Sequence, residues 1–319
     1  MITNTKLEFE YYSDGVSFRV KLMRNGIIES IHKVHLVVCN SYGQIILQLG
    51  NSNYKTFIRS ALKPFQAIPF IATELRDKTI QDTRNLAIAC SSHDGTPEQV
   101  KSVFKLLHQS GINSSLLQCP IPVGRTSPLD HNCSGKHASF LATCKYMNWD
   151  LETYLLQNHP LQKTIIEYVC KSLNISQQEL ILAYDDCGAP TLNLELFQMA
   201  YLYAQLNNFG KDNTKVLSQA IVKYPELVAG EGRFDTELMK KGQTQILSKG
   251  GAEGIQCMSH LNQGVGVAIK VEDGSRRAKQ AAAIYVLQRL QWLEDKELET
   301  LKKQFLIINK NVRLIVNEA

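Results

Sequence analysis

Strand-like and helix-like patterns are segregated along this 319-residue chain, and that segregation most constrains its fold. Strands gather at the two ends, and helical spacing fills the middle. VSFRVKLM alternates between faces over residues 16–23, and Asn25-Gly26 then offers a two-residue turn. VHLVVCN and QIILQLG flank Ser41-Tyr42-Gly43, a short hairpin loop. Residues 255–261 and 265–271 flank Asn262-Gln263-Gly264 as a second hairpin, and 312–316 reads as a closing strand. In the middle, Thr96-Pro97-Glu98-Gln99 supplies an N-cap, a first-turn proline and a capping partner, with Gly111 ending that helix. Ser176-Gln177-Gln178-Glu179 is a second capping box. Helical apolar spacing continues over 194–207 and over 275–305, the latter as more than one helix. Strands at both ends with helices inserted between them imply one sheet built from distant segments, with the insertion packed on it. The expected architecture is therefore α/β (α+β): an antiparallel sheet built from the N- and C-terminal segments, with an inserted helical lobe. No repeat or linker divides the chain, so a single domain is expected over 1–319. Its sheet lobe covers about 1–60 and 250–319, and its helical lobe about 95–250.

Composition narrows the partners. Hydrophobic residues at 44% with 20% charged exclude a disordered chain. Thirty-five Lys and Arg against 30 Asp and Glu leave a charge of +5. These cations are scattered, so a small molecule is expected rather than nucleic acid. The opening MITNTKLEFEYYSDG carries acids and no apolar core, unlike a signal peptide, and no apolar run reaches the roughly 20 residues of a membrane span. Eight cysteines without a CxxC pair suit reduced thiols, and a cytoplasmic location is expected.

Four segments could carry chemistry. A serine hydroxyl becomes a nucleophile beside a base, and a neutral lysine amine is such a base. Four S-x-x-K matches occur, at Ser30–Lys33, Ser52–Lys55, Ser60–Lys63 and Ser102–Lys105. Only Ser60 opens an apolar helical stretch, where Lys63 would be desolvated, and Pro64 biases Lys63 away from helical dihedrals. Cys90-Ser91-Ser92-His93-Asp94-Gly95 ends a buried run beside the start of a helix. Its His93 reads equally as a general base or as a turn-holding group. Along residues 264–270, Gly266, Ala268 and Lys270 share one strand face, leaving room for a close backbone or a ligand. Asn132-Cys133-Ser134-Gly135-Lys136-His137 and Asp185-Asp186-Cys187-Gly188 bring thiols and nitrogen donors that suit zinc, though two unrelated buried cysteines fit the same pattern.

Together these segments resemble the L-asparaginase II family of the rhizobial type, amidohydrolases related in fold to serine β-lactamases and glutaminases. The matching stretches are GIIESIHKVHLVVCN, FIRSALKPFQAIP, ACSSHDG, SPLDHNCSGKHASFLATC, DDCGAPT, AGEGRFDTELM, GGAEGIQ and GVGVAIKVEDGSRRA, in order from about Gly26 to Ala278. The resemblance implies a double Ser–Lys site of Ser60, Lys63, Ser92 and Lys270. It also implies a zinc site of Cys133, Lys136 and Cys187, with Arg59, His137 and Asp185 around it, and a homodimer. Val34 and the terminal NKNVRLIVN depart from the family pattern. The reaction expected is hydrolysis of asparagine to aspartate and ammonia through a Ser60 acyl-enzyme. Lys270 would serve as the second cation and Ser92 as a proton relay. Arg59 would hold the substrate carboxylate, Asp185 or Glu253 its ammonium, and His93 would line the pocket, while zinc would shape the pocket wall. A glutaminase or β-lactamase-like serine acylase is one alternative, and a non-catalytic amino-acid- or zinc-binding protein is another.

Overall fold

The computed structural model describes residues 18–74, 82–207 and 212–318. Asn25 and Gly26 both take positive φ (48° and 82°), the backbone of a type I′ turn. This turn folds β1 (Phe18–Arg24) onto β2 (Ile27–Asn40), and β3 (Ile45–Leu49) returns along the far half of β2. After β4 (Lys55–Phe57) the chain enters the helical lobe, which carries two more strands, β5 (Ile181–Tyr184) and β6 (Pro190–Glu195). It then returns as β7 (Ile246–Gly250), β8 (Ile255–His260) and β9 (Val265–Val271), and ends in β10 (Ile307–Asn309) and β11 (Val312–Glu318).

The main sheet runs β10-β11-β1-β2-β9-β8-β7, with β3 also beside β2, and its pairings are antiparallel. A sheet from both ends of the chain around a helical insertion is the expected architecture. β4-β6-β5 form a separate small sheet. Apolar cores lie on both faces of the main sheet. The helix Leu196–Ala204 packs on one face, and the helices Arg276–Arg289 and Asp295–Phe305 on the other. At Gly266 an added Cβ would lie 2.0 Å from the Ala200 carbonyl oxygen. The small residues on that face of β9 thus admit a helix backbone rather than a ligand.

The capped helix begins at Pro97 with its Thr96–Gln99 capping box formed, and runs to Gln109. Three expectations needed correction. Leu194 and Glu195 belong to β6 rather than to a helix, because they pair with Thr56 and Lys55 of β4. The Ser176 box is present but opens only the 3₁₀ turn Gln177–Glu179, since the chain is drawn straight into β5. No strand was expected at β7, which is short and carries a lysine and a glycine. Val16 lies outside the described residues. The eight cysteines are all buried and unbridged, and among the described residues no helix is long and apolar enough to cross a membrane.

Candidate active site

The Ser60 turn follows β4 directly. Arg59 has φ +53°, a left-handed conformation costing a non-glycine residue roughly 1–2 kcal/mol. Its N–H is anchored to Thr191 Oγ1 at 3.2 Å and its guanidinium to Asp185 at 2.8 Å. The 3₁₀ turn Arg59–Leu62 then packs against β7 and β8, leaving Ser60 on a cavity wall and Lys63 fully buried. Strain of this kind, held by surrounding contacts, is a recurrent mark of functional turns.

Ser92 comes from the segment after the helix Thr83–Ala89, tied in by its N–H donating to the Val228 carbonyl at 2.7 Å. Two amines converge on its hydroxyl. Lys63 Nζ lies 2.9 Å from Ser92 Oγ and also donates to the carbonyls of Ser91 and Asn132. Lys249 Nζ lies 2.8 Å from the same oxygen and donates to the Gly250 carbonyl at 3.0 Å. Lys249 stands opposite Cys257 on β8, which stands opposite Ala268 on β9, so its side chain faces the helical lobe. Burial, then the charge of Lys63, lowers the Lys249 amine to about 7.

Cys133, Lys136 and Cys187 form a neighbouring buried pocket, with Lys136 Nζ 3.0 Å from Cys187 Sγ. A hydrogen bond from the Cys187 thiol holds Cys133 well below the usual thiol range, and the same bond pushes Cys187 upward. Burial opposes the charge on Lys136, but the sulfurs of Cys187 and Cys133 outweigh it and hold that amine above its ordinary value. The pocket therefore favours a negative charge on Cys133 over one on Cys187, with the Lys136 ammonium beside them. No group of three or more His, Cys, Asp or Glu among the described residues could hold a metal. The donor set here is two sulfurs and a lysine nitrogen, chemically suited to zinc once Cys187 and Lys136 lose their protons.

The structure does not bring every expected residue to the serines. Lys270 donates to the Glu253 carbonyl, and the charges acting on it are those of Glu253, Asp273 and Glu272. It shares the sheet face of Lys249 but stands on β9, two strands away, roughly 10 Å at the usual strand spacing. The second amine that meets Ser92 is that of Lys249, not of Lys270. Arg59 and Asp185 pair with each other, with Asp186 on the same guanidinium at 2.6 Å, and neither lines the cavity of Ser60. His93 is buried with both ring nitrogens engaged: Nε2 lies 2.8 Å from Ser134 Oγ, and Nδ1 accepts the Gly95 N–H at 3.0 Å. Burial and the charge of Lys63 lower it to about 3, so it is a neutral turn-holding group.

Ser60 and Ser92 line one cavity of about 260 Å³ together with Asn132, Lys249, Asp235 and Glu253. Arg233 and Arg276 complete its charged wall, and Arg233 is engaged by Asp94 at 2.8 Å. Sequence reasoning missed Lys249, Asp235 and both arginines. One signal was available: Lys249-Gly250-Gly251 ends a strand much as the Lys-Thr-Gly triplet accompanies S-x-x-K in serine β-lactamases.

Two solved structures illustrate what the chain is similar to. A candidate beta-lactamase from Bacteroides dorei DSM 17855 is 9% identical, with 82% of this chain and 89% of that one covered at a TM-score of 0.39. EstCE1, a hydrolase with promiscuous acyltransferase activity, is 11% identical, with 81% and 88% covered at a TM-score of 0.33. Among curated proteins none matches the chain. The family model described as L-asparaginase II matches residues 20–317, nearly the whole chain. The chain therefore belongs to the L-asparaginase II family, as its serine, lysine and cysteine motifs led us to expect.

Proposed function

We propose that this protein hydrolyses the side-chain amide of L-asparagine, giving aspartate and ammonia through an acyl-enzyme on Ser60. The observation carrying this reading is the convergence of Lys63 and Lys249 on Ser92 Oγ in the cavity that Ser60 lines. Lys63 lies one turn after Ser60 and stays an ammonium throughout: it gives a proton to Ser92 as it takes the one that the Ser60 hydroxyl loses on attacking the amide carbon. Ser92 passes a proton on to Lys249, which is free to receive one above about pH 7. Collapse of the tetrahedral adduct returns a proton to the departing nitrogen, and ammonia leaves. Water then cleaves the ester by the same relay in reverse.

Substrate recognition needs a cation for the α-carboxylate and an anion for the α-ammonium. Among the described residues no carboxylate pairs with Arg276, which makes it the available guanidinium on the cavity wall, and Glu253 is the exposed carboxylate there. A cavity of about 260 Å³ suits a single amino acid better than a larger ligand. Zinc, when bound, would be held by Cys133, Lys136 and Cys187, and would rigidify the wall beside Ser134 as a structural ion. Protein quenched during turnover of asparagine should carry an aspartyl adduct on the peptide bearing Ser60, seen by mass spectrometry. An adduct confined to another residue, or no ammonia from asparagine, would remove this reading.

A further inference from the structure

On the face of β7 opposite Lys249, and still lining the same cavity, lies a charged cluster with no part in the relay just described. Asp235 opens the helix Phe234–Lys241, and its carboxylate is committed to β7 and β8. Oδ1 accepts from Ser248 Oγ and from Gln256 Nε2, each at 2.7 Å, and Oδ2 accepts the Gly250 N–H at 2.8 Å. Gln256 also donates to Ser248 Oγ at 2.9 Å, closing the network. These contacts grip the residues on either side of Lys249. Lys279, from the helix Arg276–Arg289, reaches the same place and donates to the carbonyls of Gly251 at 2.7 Å and Ile255 at 2.9 Å. Gly250 allows this crowding: an added Cβ would meet Lys279 Nζ at 2.9 Å and Asp235 Oδ2 at 3.2 Å.

We propose that Asp235 is a positioning residue for the reaction, holding β7 so that Lys249 meets Ser92 and balancing the charge of Lys249 through the strand. This rests on the reading of Lys249 as the proton acceptor. The charged and titratable groups around the pair come from every side. Lys63 and Cys133 face Lys249 from the helical lobe, and Lys279 and Arg276 come from the helix behind, with Arg233 just before Asp235. The negative charge of Asp235 favours the ammonium form of Lys249, and the positive charge of Lys279 disfavours it. Turnover that needs neutral Lys249 rises with pH through its pKa, so the acid limb of the pH profile reports this balance.

The test is the pH profile of asparagine hydrolysis, kcat and KM being measured separately. In Asp235→Asn the acid limb should move about one unit toward lower pH. In Lys279→Met it should move toward higher pH, a shift of opposite sign from the same cluster. A uniform loss of kcat with the limb unmoved would overturn the proposal, as would a rise in KM alone, the mark of a substrate contact. Should Asp235→Asn fail to fold, Lys279→Met decides: an alkaline shift supports the proposal and an unmoved limb overturns it. A Lys249→Met enzyme retaining wild-type turnover and the wild-type acid limb would instead sink the underlying reading of Lys249.

Discussion

The cleft and the thiol pocket each bury a lysine and treat it in opposite ways. Lys249 and Lys136 are 0% and 1% exposed, so withdrawal from water disfavours the charge on both. Beside Lys249 the nearest influence is another cation, Lys63, and the amine falls to about 7. Beside Lys136 it is a pair of cysteine sulfurs, Cys187 and Cys133, and the amine is held up. Burial makes a lysine sensitive. The sign of its neighbour then decides whether it becomes a base or a counter-ion.

The sharpest way to break this comparison is to remove each amine in turn. Lys249→Met should cut ammonia release from asparagine by roughly 10²- to 10⁴-fold, the usual worth of a positioned proton acceptor, while the protein still folds. Lys136→Met should act mainly on stability, costing roughly 3 kcal/mol by urea denaturation because a buried thiolate loses its partner. The opposite pattern, with Lys249→Met unfolding the protein and Lys136→Met leaving stability intact, would dissolve the distinction.

A pH series sharpens it further. The folded-state value of Lys249, about 7, lies below its ordinary 10.5, so between these values the unfolded chain binds more protons and stability rises with pH. At low pH the wild type carries a charged Lys249 at a cost that Lys249→Met avoids. The stability advantage of the variant should be largest near pH 6 and shrink toward pH 8.5, by roughly 1.4 kcal/mol per unit above 7. A constant difference across that window would show that Lys249 is not depressed. The smallest effect belongs to Lys270, the buried lysine on β9 whose amine holds the Glu253 carbonyl. Lys270→Met should raise KM several-fold with little change in kcat, through displacement of Glu253. A collapse of kcat to the level of Lys249→Met would return Lys270 to the chemistry.

Much of the frame was legible because its signals are local. The turn at Asn25-Gly26, the capping box at Thr96 and the hairpin of β8 and β9 are each signalled within a few neighbouring residues, and each formed as expected. Ser60, Lys63 and Ser92 could be singled out as candidates for the same reason, since Ser60 and Lys63 share a turn and Ser92 ends a buried run, and the fold does bring them to one cavity. Lys249 escaped because ILSKG is too short to announce a strand, whereas Lys270 sits in a long apolar run that reads clearly as one. Arg59 and Asp185 had been given opposite ends of a substrate, but their separation of 126 residues hid the ion pair they form with each other.

The sequence by itself determined which side chains are available and which local turns and strands present them, since propensity, capping and alternation act over a few residues. Tertiary structure alone decided which amine meets Ser92 and which cation remains unpaired. It also decided which of two neighbouring thiols is the more acidic. Those outcomes depend on strand order and on the close approach of groups far apart along the chain, and electrostatic energy changes sign with the identity of the neighbour rather than with the residue itself.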